Sequence, residues 1–450
     1  MAFIYVIIPI ILRIAAKVTV INYTASVIPR PEHSISRSEI SESALKVLYR
    51  LKKGGFESYL VGGGVRDLLL AGKPKDFDVA TDATPEQVRA LFSNSRIIGR
   101  RFRLVHVRYG RDIIEVATFR SHHEQAENEA QAMVEDGLIV RDNVYGTLED
   151  DAFRRDFTIN ALYYNIADFS VVDFTSGIQD LENRTLRMIG DPDVRLQEDP
   201  VRMLRAIRFA AKLNFELESG LRQQIEQQGD RLDLVPPARL FEEVLKLFLS
   251  SYAEKTFQLL IDYQLFPHLF AQTAECLGQA DDYAGRFVAL ALRNTDRRIK
   301  VDKPVTPAFL FAALLWPAVY RQSSLRGDGE HLTLQALLEA GRDVISGQLS
   351  QVAIPKRFRQ MMLDIWVFQS RLAQRRGKRP VRLIAHPRFR AAYDFMLLRN
   401  EAGEDLQELC DWWTRFQQVG EAEQHLMCKT MGGNKPRGKR GRKKPAKSAP

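Results

Sequence analysis

Two short patterns near the N-terminus contain residue types suited to phosphate and metal chemistry. The segment LVGGGVRD, residues 60–67, holds three consecutive glycines, and KDFDVAT, residues 75–81, holds Asp76 and Asp78 with one residue between them. Side chains at i and i+2 of a strand lie on one face, so these carboxylates are predicted to project together. Neighbouring carboxylates repel each other, and a cation between them relieves the repulsion. The pair therefore predicts a Mg²⁺ site, since magnesium often takes one or two protein carboxylates plus substrate phosphates.

The glycine segment predicts the phosphate half of such a site. It has the pattern of a strand, a glycine turn and a new helix, and a helix start offers free N–H groups and a positive dipole end. Gly62 and Gly63 are therefore predicted to approach a triphosphate, with Arg66 nearby. A third carboxylate is expected on a neighbouring strand, and Glu115 in the apolar run DIIEVATFR is the best candidate, because an unpaired acid there is costly.

Each pattern has a structural alternative when taken alone. A glycine-rich turn is usually only a turn, and an Asp-x-Asp pair is more often a solvated strand face. The two patterns occur in order within a short stretch of chain, and this combination favours a site for a nucleoside triphosphate and its magnesium.

The elements that must position these residues change character along the chain. From Tyr59 to about Asp191, strand-like runs alternate with helical ones, whereas from about Pro200 onward the apolar residues recur with a helical period. This predicts an α/β head followed by an all-α region. A poorly ordered N-terminal extension at 1–35 and a disordered basic tail at 426–450 are predicted to flank them.

Charge and cysteine content narrow the class of protein. The formal net charge is +9, and residues 429–450 hold nine Lys and Arg and no acid, so residues 1–428 are formally neutral. Such a cationic tail predicts sequence-independent contact with nucleic acid. The three cysteines are widely spaced, which argues against a disulfide framework and a zinc site and fits a reducing cytoplasm. The apolar segment 3–12 is too short to span a membrane, and interfacial membrane contact is the alternative to an extension without function.

The motifs resemble those of the DNA polymerase beta-like nucleotidyltransferases, in the bacterial branch that holds CCA-adding enzymes and poly(A) polymerases. LVGGGVRD followed by KDFDVAT resembles the first motif, and RRDFTINALYYN, residues 154–165, the second. DFTSGIQDL, residues 173–181, is similar to the third and EDPVRMLRAIRF, residues 198–209, to the fourth. The resemblance runs in order over about residues 36–420. It implies an α/β catalytic head at 36–190, followed by an all-α neck at 191–250 and an all-α body and leg at 251–425.

The resemblance implies roles for individual residues. Asp76 and Asp78 would be the magnesium ligands, and Asp156 a further active-site acid. Arg154 and Arg155 would meet the triphosphate.

The fourth motif implies recognition of the base. An aspartate that accepts and an arginine that donates match the pairing edge of adenine, so Asp199 and Arg202 would read it. Cytosine presents the same donor–acceptor order, so this pair rejects uracil and guanine but does not separate adenine from cytosine. The alternative is that Asp199 caps the helix that begins near Pro200.

Other segments distinguish the two activities of the branch. IIGRRFRLVHV, residues 97–107, resembles the pattern of bacterial poly(A) polymerases in Gly99, Arg100, Arg101, Phe102 and His106; a packed structural histidine is the alternative for His106. The stretch 371–390 has eight basic residues and no acid, which favours an RNA backbone track over a solvated face. The predicted RNA-binding residues are Arg375, Arg376, Lys378, Arg379, Arg382 and Arg388.

The resemblance predicts template-independent transfer of AMP from ATP to RNA 3′ ends by a magnesium-dependent nucleotidyltransferase. A CCA-adding enzyme is the alternative within the family, and a non-catalytic RNA-binding protein on the same fold is the alternative outside it. The expected partners are RNA 3′ ends, ATP and proteins of RNA decay or RNA-chaperone activity. The chain is expected to be a cytoplasmic monomer.

Overall fold

The computed structural model describes residues 25–99, 103–121, 132–135, 138–142, 144–278, 282–326 and 332–430, and only the backbone of 132–135 and 138–142. The chain forms two compact units that separate between Asn183 and Arg184, here called the head and the helical unit. The predicted end of the head, residue 190, lies a few residues further on. The predicted neck and body both fall within the helical unit.

The head contains strands joined by short helices. Its strands are β1 (Ser26–Ile28), β2 (Ser58–Val61), β3 (Asp78–Thr81), β4 (Ser95–Ile98), β5 (Leu104–Tyr109), β6 (Asp112–Thr118), β7 (Ala132–Glu135), β8 (Leu138–Asp142), β9 (Leu162–Asn165) and β10 (Val171–Asp173). Its α-helices are α1 (Glu42–Lys53), α2 (Gly63–Leu69), α3 (Pro85–Leu91), α4 (Leu148–Arg154) and α5 (Gly177–Glu182). The α/β character predicted for this part of the chain is confirmed.

One mixed sheet organises the head. Eight strands follow the order β1-β10-β9-β2-β3-β6-β5-β4, and β7 pairs separately with β8. The pair β3–β6 is parallel, while the other ladders of the large sheet are antiparallel. Strands β2, β3 and β6 therefore lie side by side at the centre. Asp78 lies in β3 and Glu115 in β6, and the predicted Gly62 turn directly follows β2.

Local capping explains where two helices of the head begin. The Ser41 hydroxyl accepts the amide hydrogen of Ala44 at 3.2 Å, at the start of α1. Thr84 and Gln87 exchange side-chain and backbone hydrogen bonds in a capping box before Pro85, the first residue of α3. Both starts have a signal in the sequence, because a short hydroxyl side chain satisfies the free amides of a helix N-terminus.

The end of the predicted N-terminal extension is part of the sheet. Strand β1 lies within the predicted range 1–35 and pairs with β10, with Ser26 opposite Asp173 and Ile28 opposite Val171. Residues 25–35 therefore differ from the poorly ordered segment that the sequence predicted, because β10 offers an edge whose backbone groups this short strand satisfies. Residues 1–24, including the apolar segment, lie outside the described residues.

The second unit is helical, as predicted. Its helices are α6 (Pro192–Glu198), α7 (Val201–Leu213), α8 (Ser219–Gln228), α9 (Pro237–Phe248), α10 (Ala253–Asp262), α11 (Phe266–Leu269), α12 (Ala271–Ala274), α13 (Tyr283–Lys300), α14 (Pro307–Arg326), α15 (Leu334–Gln348), α16 (Lys356–Leu372), α17 (Arg379–Ile384), α18 (Phe389–Glu401), α19 (Gln407–Gln418) and α20 (Glu421–Thr430). Two short strands, β11 (Thr185–Leu186) and β12 (Glu216–Leu217), pair in parallel. Helix α20 includes the first residues of the predicted tail, and residues 431–450 lie outside the described residues.

A buried arginine fixes helix α18 within the helical unit. Arg399 is 5% exposed, and its guanidinium donates to Glu404 and, at 3.1 Å, to Gln369 Oε1. It also lies 5.1 Å from the ring centroid of Trp316. A buried guanidinium is tolerated only with such partners, so α18 is tied to α14 and α16.

Among the helices that the structure describes, none combines the length and the apolar character of a membrane-spanning segment.

Candidate active site

The glycine turn lies at one point with an arginine and an aspartate. Gly62 follows β2 with φ +73° and ψ −135°, a conformation that glycine adopts without steric cost. A Cβ atom built on Gly62 would lie 3.6 Å from Nη1 of Arg155 and 3.9 Å from Oδ2 of Asp78. The backbone of the turn therefore lies close to both a guanidinium and a carboxylate, and a site for an anion with its cation requires both.

The two predicted metal ligands lie in different backbone environments. Strand β3 begins at Asp78, whereas Asp76 lies two residues before it and is exposed. The prediction that both aspartates belong to one strand was wrong. The ladder stops because Val61, opposite Asp78, is the last residue of β2, and the chain then turns at Gly62 into α2. Phe77 between them is buried and anchors the segment in the core.

The cross-strand register places the predicted third acid next to Asp78. Asp78 of β3 is directly opposite Glu115 of β6, and Glu115 is opposite His106 of β5. The Glu115 side chain is 50% exposed, and its Oε1 lies 3.1 Å from Nε2 of His106. Directly paired residues of adjacent strands share a face. Asp78, Glu115 and His106 thus form a polar row across the sheet, and His106 contacts an acid of the site. Arg100, Arg101 and Phe102 of the same predicted pattern lie outside the described residues.

The surroundings of Asp78 disfavour the ionised form of its carboxyl group. Burial raises the pKa of Asp78 to about 6. The neighbouring charge of Glu115 adds to the rise, Arg155 opposes it, and Asp76 contributes a further increase. Near neutral pH this arrangement concentrates negative charge beside one guanidinium, which a bound cation would relieve.

A buried aspartate holds Arg155 in place. Nε and Nη2 of Arg155 donate to Oδ2 of Asp151 at 3.1 and 2.9 Å, and Nε also donates to the Tyr163 hydroxyl at 2.9 Å. The Tyr163 hydroxyl in turn donates to Asp151 Oδ2 at 2.7 Å. Asp151 and Tyr163 are both buried, at 7% and 0% exposure. These bonds use Nε and Nη2, while Nη1 donates to the Asn160 carbonyl at 3.4 Å and lies next to the Gly62 turn.

The donor set of the site fits magnesium. Among the residues that the structure describes there is no cluster of three or more His, Cys, Asp or Glu side chains with metal-binding geometry. The oxygens of Asp78, Glu115 and Asp76 are nevertheless the ligand type that Mg²⁺ prefers, and that ion usually completes its shell with water and substrate phosphates. The space above the Gly62 backbone, which a Cβ would occupy, lies beside the Asp78 carboxylate.

Other predicted residues of the head take different positions. The side chain of Arg66 is 2% exposed, and its guanidinium donates to Asp67 and, at 2.6 Å, to Asn160. These contacts connect α2 to the turn Thr158–Asn160. The predicted triphosphate contact of Arg66 stays a prediction. Arg154, at the end of α4, and Asp156 are half-buried, and their predicted roles also remain predictions.

The predicted base-reading pair lies in the helical unit. Asp199 is 8% exposed; its Oδ1 accepts the Val201 amide hydrogen at 3.3 Å and its Oδ2 accepts from Arg239 at 2.7 Å. Asp199 therefore contacts the first turn of α7, as the capping alternative expected. Nη1 of Arg202 donates to Glu198 Oε2 at 2.8 Å. Both side chains are thus oriented by partners, and base reading by them stays a prediction.

The predicted RNA-binding residues form a cationic surface on the helical unit. Arg375 pairs with Glu408 at 2.8 Å and lies 5.9 Å from the Trp412 ring centroid. The remaining five have no carboxylate within ion-pair distance in the described part of the chain: Arg376, Lys378, Arg379, Arg382 and Arg388. Cations without internal partners suit phosphate binding.

Sequence reasoning missed several residues of the site. Tyr163 lies inside the second motif and Asp151 lies just before it. The motif itself does not indicate that they accept hydrogen bonds from Arg155. Glu198 and Arg239 orient the fourth-motif pair in the same way. A signal was available for Asp151 alone, since it precedes Arg155 by four positions, a spacing that places two side chains on one helix face.

Three family descriptions match successive parts of the chain. Residues 58–187 match a "Poly A polymerase head domain". Residues 214–277 match a "Probable RNA and SrmB-binding site of polymerase A", and residues 329–447 match a "Polymerase A arginine-rich C-terminus". The first match contains the Gly62 turn, Asp78 and Arg155, and the last contains the cationic surface.

Curated relatives extend the similarity over nearly the whole chain. The chain is 48% identical to "Poly(A) polymerase I" of Salmonella typhimurium over 431 residues, which are 94% of this chain and 92% of the relative. It is 47% identical to the protein of that name from Escherichia coli O6:H1 over 441 residues, 97% of this chain and 95% of the relative. A "CCA-adding enzyme" of Lactobacillus helveticus is 38% identical over 222 residues, 49% of this chain and 53% of the relative.

Solved structures share the fold at low identity. The crystal structure of the Bacillus stearothermophilus CCA-adding enzyme in complex with CTP aligns with a TM-score of 0.54 at 23% identity, covering 88% of this chain and 89% of that chain. A structure described as "tRNA-processing enzyme (apo form I)" aligns with a TM-score of 0.59 at 20% identity, covering 88% and 98%. These likenesses show a common fold.

Proposed function

The chain belongs to the poly(A) polymerase family, and from that premise we propose that it adds AMP from ATP to RNA 3′ ends without a template, releasing pyrophosphate. The observation that carries this function is the match to relatives named poly(A) polymerase I along more than nine-tenths of the chain, whereas the CCA-adding match covers about half. The grouping of Gly62, Asp78 and Arg155 supports a catalytic protein over a non-catalytic RNA-binding one.

The head supplies the groups for triphosphate binding in this proposal. Arg155, held by Asp151 and Tyr163, presents its guanidinium to the phosphates, and the backbone of Gly62 and Gly63 approaches them without a side chain between. A guanidinium fork fixed in advance loses little freedom on binding, so it positions the α-phosphorus for in-line attack by the RNA 3′ hydroxyl.

The acids of the head would hold the metal. Asp76 and Asp78 would bind Mg²⁺, with Glu115 favoured over Asp156 as the further acid because the strand register places Glu115 opposite Asp78. When bound, the ion supplies charge neutralisation of the phosphates and activation of the attacking hydroxyl. His106 accompanies Glu115 and keeps its carboxylate oriented.

Location and partners belong to the same proposal. A cytoplasmic location fits three cysteines that are all free and buried. The protein is proposed to act as a monomer, and proteins of RNA decay or RNA-chaperone activity are the expected partners. RNA contact is assigned to the cationic surface and to the basic sequence after Thr430.

One incubation tests the activity against its family alternative. The purified protein is offered ATP or CTP together with either a tRNA lacking its terminal CCA or an unstructured RNA. We expect a ladder of added A on both RNAs with ATP. Addition of two C residues and one A to the tRNA alone would instead identify a CCA-adding enzyme. Absence of any incorporation would favour the non-catalytic alternative.

A substitution at Arg202 tests base selection. Arg202→Ala removes a donor for the adenine edge and leaves the acceptor of the base unpaired, which typically costs about 1–3 kcal/mol. We expect the Michaelis constant for ATP to rise about five- to a hundredfold, and UTP and GTP to be incorporated relatively better. The measurement is competition among the four nucleotides.

Arg239→Ala is the matched control for that substitution. It removes the partner of Asp199 Oδ2 but leaves Arg202 intact, so it should lower ATP affinity without admitting UTP. If Arg202→Ala only lowers the thermal stability and ATP preference is unchanged, Asp199 and Arg202 are helix-capping and packing residues.

Truncation after Thr430 tests the basic tail. It keeps α20 and removes eight cations: Lys435, Arg437, Lys439, Arg440, Arg442, Lys443, Lys444 and Lys447. Each phosphate contact on a single strand adds about 0.7 to the slope of log affinity against log salt. We expect weaker RNA binding at low salt and a flatter slope, with turnover at saturating RNA nearly unchanged. Coinciding slopes for the two proteins would show that the tail does not bind RNA.

A further inference from the structure

A cavity of about 630 Å³ opens in the helical unit, far along the sequence from the catalytic motifs. It lies where the end of α13 and the start of α14 meet α16 and α18. Its apolar lining includes Phe309, Ile365 and Leu398, and the Phe309 ring meets Phe395 edge-on at 5.9 Å. The volume is within the range of about 300–1,000 Å³ that is typical of sites for small organic molecules. We call this cavity the body pocket.

The body pocket has an excess of arginine around its apolar wall. Arg297, Arg298, Arg388 and Arg390 line it, against two acids, Asp394 and Glu401. The ion pair between Arg390 and Asp394, at 2.8 Å, neutralises one charge of each sign. The remaining side chains leave a formal surplus of two positive charges at the pocket.

Among these arginines, Arg388 is the best candidate for binding an external anion. It is half-buried, it lines the pocket, and within the part of the chain that the structure describes its guanidinium has no carboxylate partner. Arg298 on the facing helix donates to the backbone carbonyl of Pro304 at 3.1 Å. A partly desolvated guanidinium without a counter-ion favours an external anion, and its fork geometry matches a phosphate.

We propose that the body pocket binds one nucleotide of single-stranded RNA, with its base against the wall of Phe309, Ile365 and Leu398 and its phosphate at Arg388 and Arg298. The inference rests on the proposed function, since it assigns part of the RNA contact to a defined pocket rather than to charge alone. An apolar, partly aromatic wall bordered by arginine is the combination by which proteins hold single strands without reading their sequence. It suits an enzyme that acts on many RNA ends.

A single introduced thiol reports on occupancy of the pocket. The chain has three cysteines, Cys276, Cys410 and Cys428, and all are buried, so Val305→Cys places an accessible thiol at the pocket lining. We measure its alkylation rate in the full-length protein with and without a twelve-residue oligoadenylate. We expect the oligonucleotide to slow alkylation at least about fivefold. Leu325→Cys, at a position that is 79% exposed and outside the pocket, should be alkylated at an unchanged rate.

Removal of one arginine tests the role of the phosphate contact. Combined with Val305→Cys, Arg388→Ala should abolish the protection, weaken oligoadenylate binding about five- to tenfold and flatten the salt slope by about 0.7. Arg342→Ala is the matched control, since Arg342 is an exposed arginine of the same unit that does not line the pocket. It should leave the protection intact.

The outcomes separate the pocket from the proposed function. If the oligoadenylate binds but Val305→Cys is alkylated as fast as before, the body pocket is not an RNA site, whatever the enzyme does. If polyglutamate protects and the oligonucleotide does not, an acidic protein is the occupant and the proposal is wrong. AMP addition is measured on the same wild-type preparation. Slower alkylation with the oligonucleotide but no AMP addition would contradict the proposed function and support RNA binding at the body pocket. AMP addition without slower alkylation would contradict only RNA binding at the body pocket.

Discussion

Asp78→Asn is expected to abolish AMP transfer and, at the same time, to stabilise the fold. In the proposed mechanism the substitution removes a charged oxygen ligand of the Mg²⁺ ion, whose contribution to the transition state would be several kcal/mol, so turnover should fall at least about a thousandfold. RNA affinity should stay near that of the wild type, because the cationic surface and the tail are untouched. The measurement is single-turnover AMP addition beside RNA binding on one preparation.

The stabilisation follows from the sign of the pKa shift. Burial and the charge of Glu115 raise the pKa of Asp78 to about 6, above its ordinary value of about 3.9, so the folded state favours the protonated carboxyl. The ionised group therefore destabilises the fold, and the free energy of unfolding should fall as pH rises from about 4 through 6. Asn mimics the protonated form. In EDTA, Asp78→Asn should exceed the wild type by about 1–2 kcal/mol at pH 7.5 and match it near pH 4.

Asp76→Asn separates the two effects. Asp76 is exposed and lies before β3, so the loss of its charge should reduce AMP transfer without a comparable gain in stability. Denaturant unfolding of both variants at the two pH values makes the comparison. Wild-type turnover in Asp78→Asn would remove this residue from the mechanism. If the stability of Asp78→Asn equals that of the wild type at both pH values, burial does not disfavour the charge of Asp78 in the folded head.

The sequence was sufficient for features that depend on local chemistry. Helix starts at Ser41 and Thr84 follow from side chains that bond nearby amides, and the helical unit follows from an apolar period that many turns repeat. The motif resemblance was sufficient for the head fold. Each of these signals follows the order of residues along the chain, so no knowledge of distant contacts was needed.

Features that depend on distant pairing were not predictable from the sequence. The start of β3 at Asp78 is set by where β2 ends, and β2 ends because Gly62 turns the chain. Strand β1 exists because β10 offers an edge to it. The sequence predicted Glu115 on a strand neighbouring Asp78, but their direct opposition comes from the register of a parallel pair whose strands lie far apart in the sequence. Each of these depends on a partner strand that a local pattern does not identify.

Asp151→Ala is expected to destabilise the head and to disorder the triphosphate site together. Oδ2 of Asp151 accepts from Arg155 and from the Tyr163 hydroxyl, and Oδ1 accepts the Arg120 amide hydrogen at 3.3 Å. Removal of one partner of a buried ion pair typically costs about 3–5 kcal/mol, because the remaining charge stays desolvated. Thermal and denaturant unfolding should show a loss of that size.

The same variant should lower catalysis beyond its effect on folding. Without Asp151 the guanidinium of Arg155 is no longer fixed beside Gly62 and Asp78, so ATP should bind less productively. Well below the unfolding temperature we expect kcat/KM for ATP to fall about ten- to a hundredfold, since even a small misplacement of a positioning group is costly. Tyr163→Phe keeps the Asp151–Arg155 ion pair and removes only the hydroxyl, so its loss of kcat/KM should be several-fold smaller.

Asp150→Ala on the same helix is the matched control for Asp151→Ala. The Asp150 carboxylate accepts the Thr147 amide hydrogen at 2.9 Å in a capping box at the start of α4 and has no bond to Arg155. Its loss should cost about 1 kcal/mol of stability, as cap removal usually does, and leave kcat/KM for folded protein unchanged. If Asp151→Ala lowers activity only in proportion to the unfolded fraction, Asp151 stabilises the head but does not position Arg155. If it is as stable as the wild type, the buried network does not hold the site together, and the placement of Arg155 must come from the backbone at the end of α4.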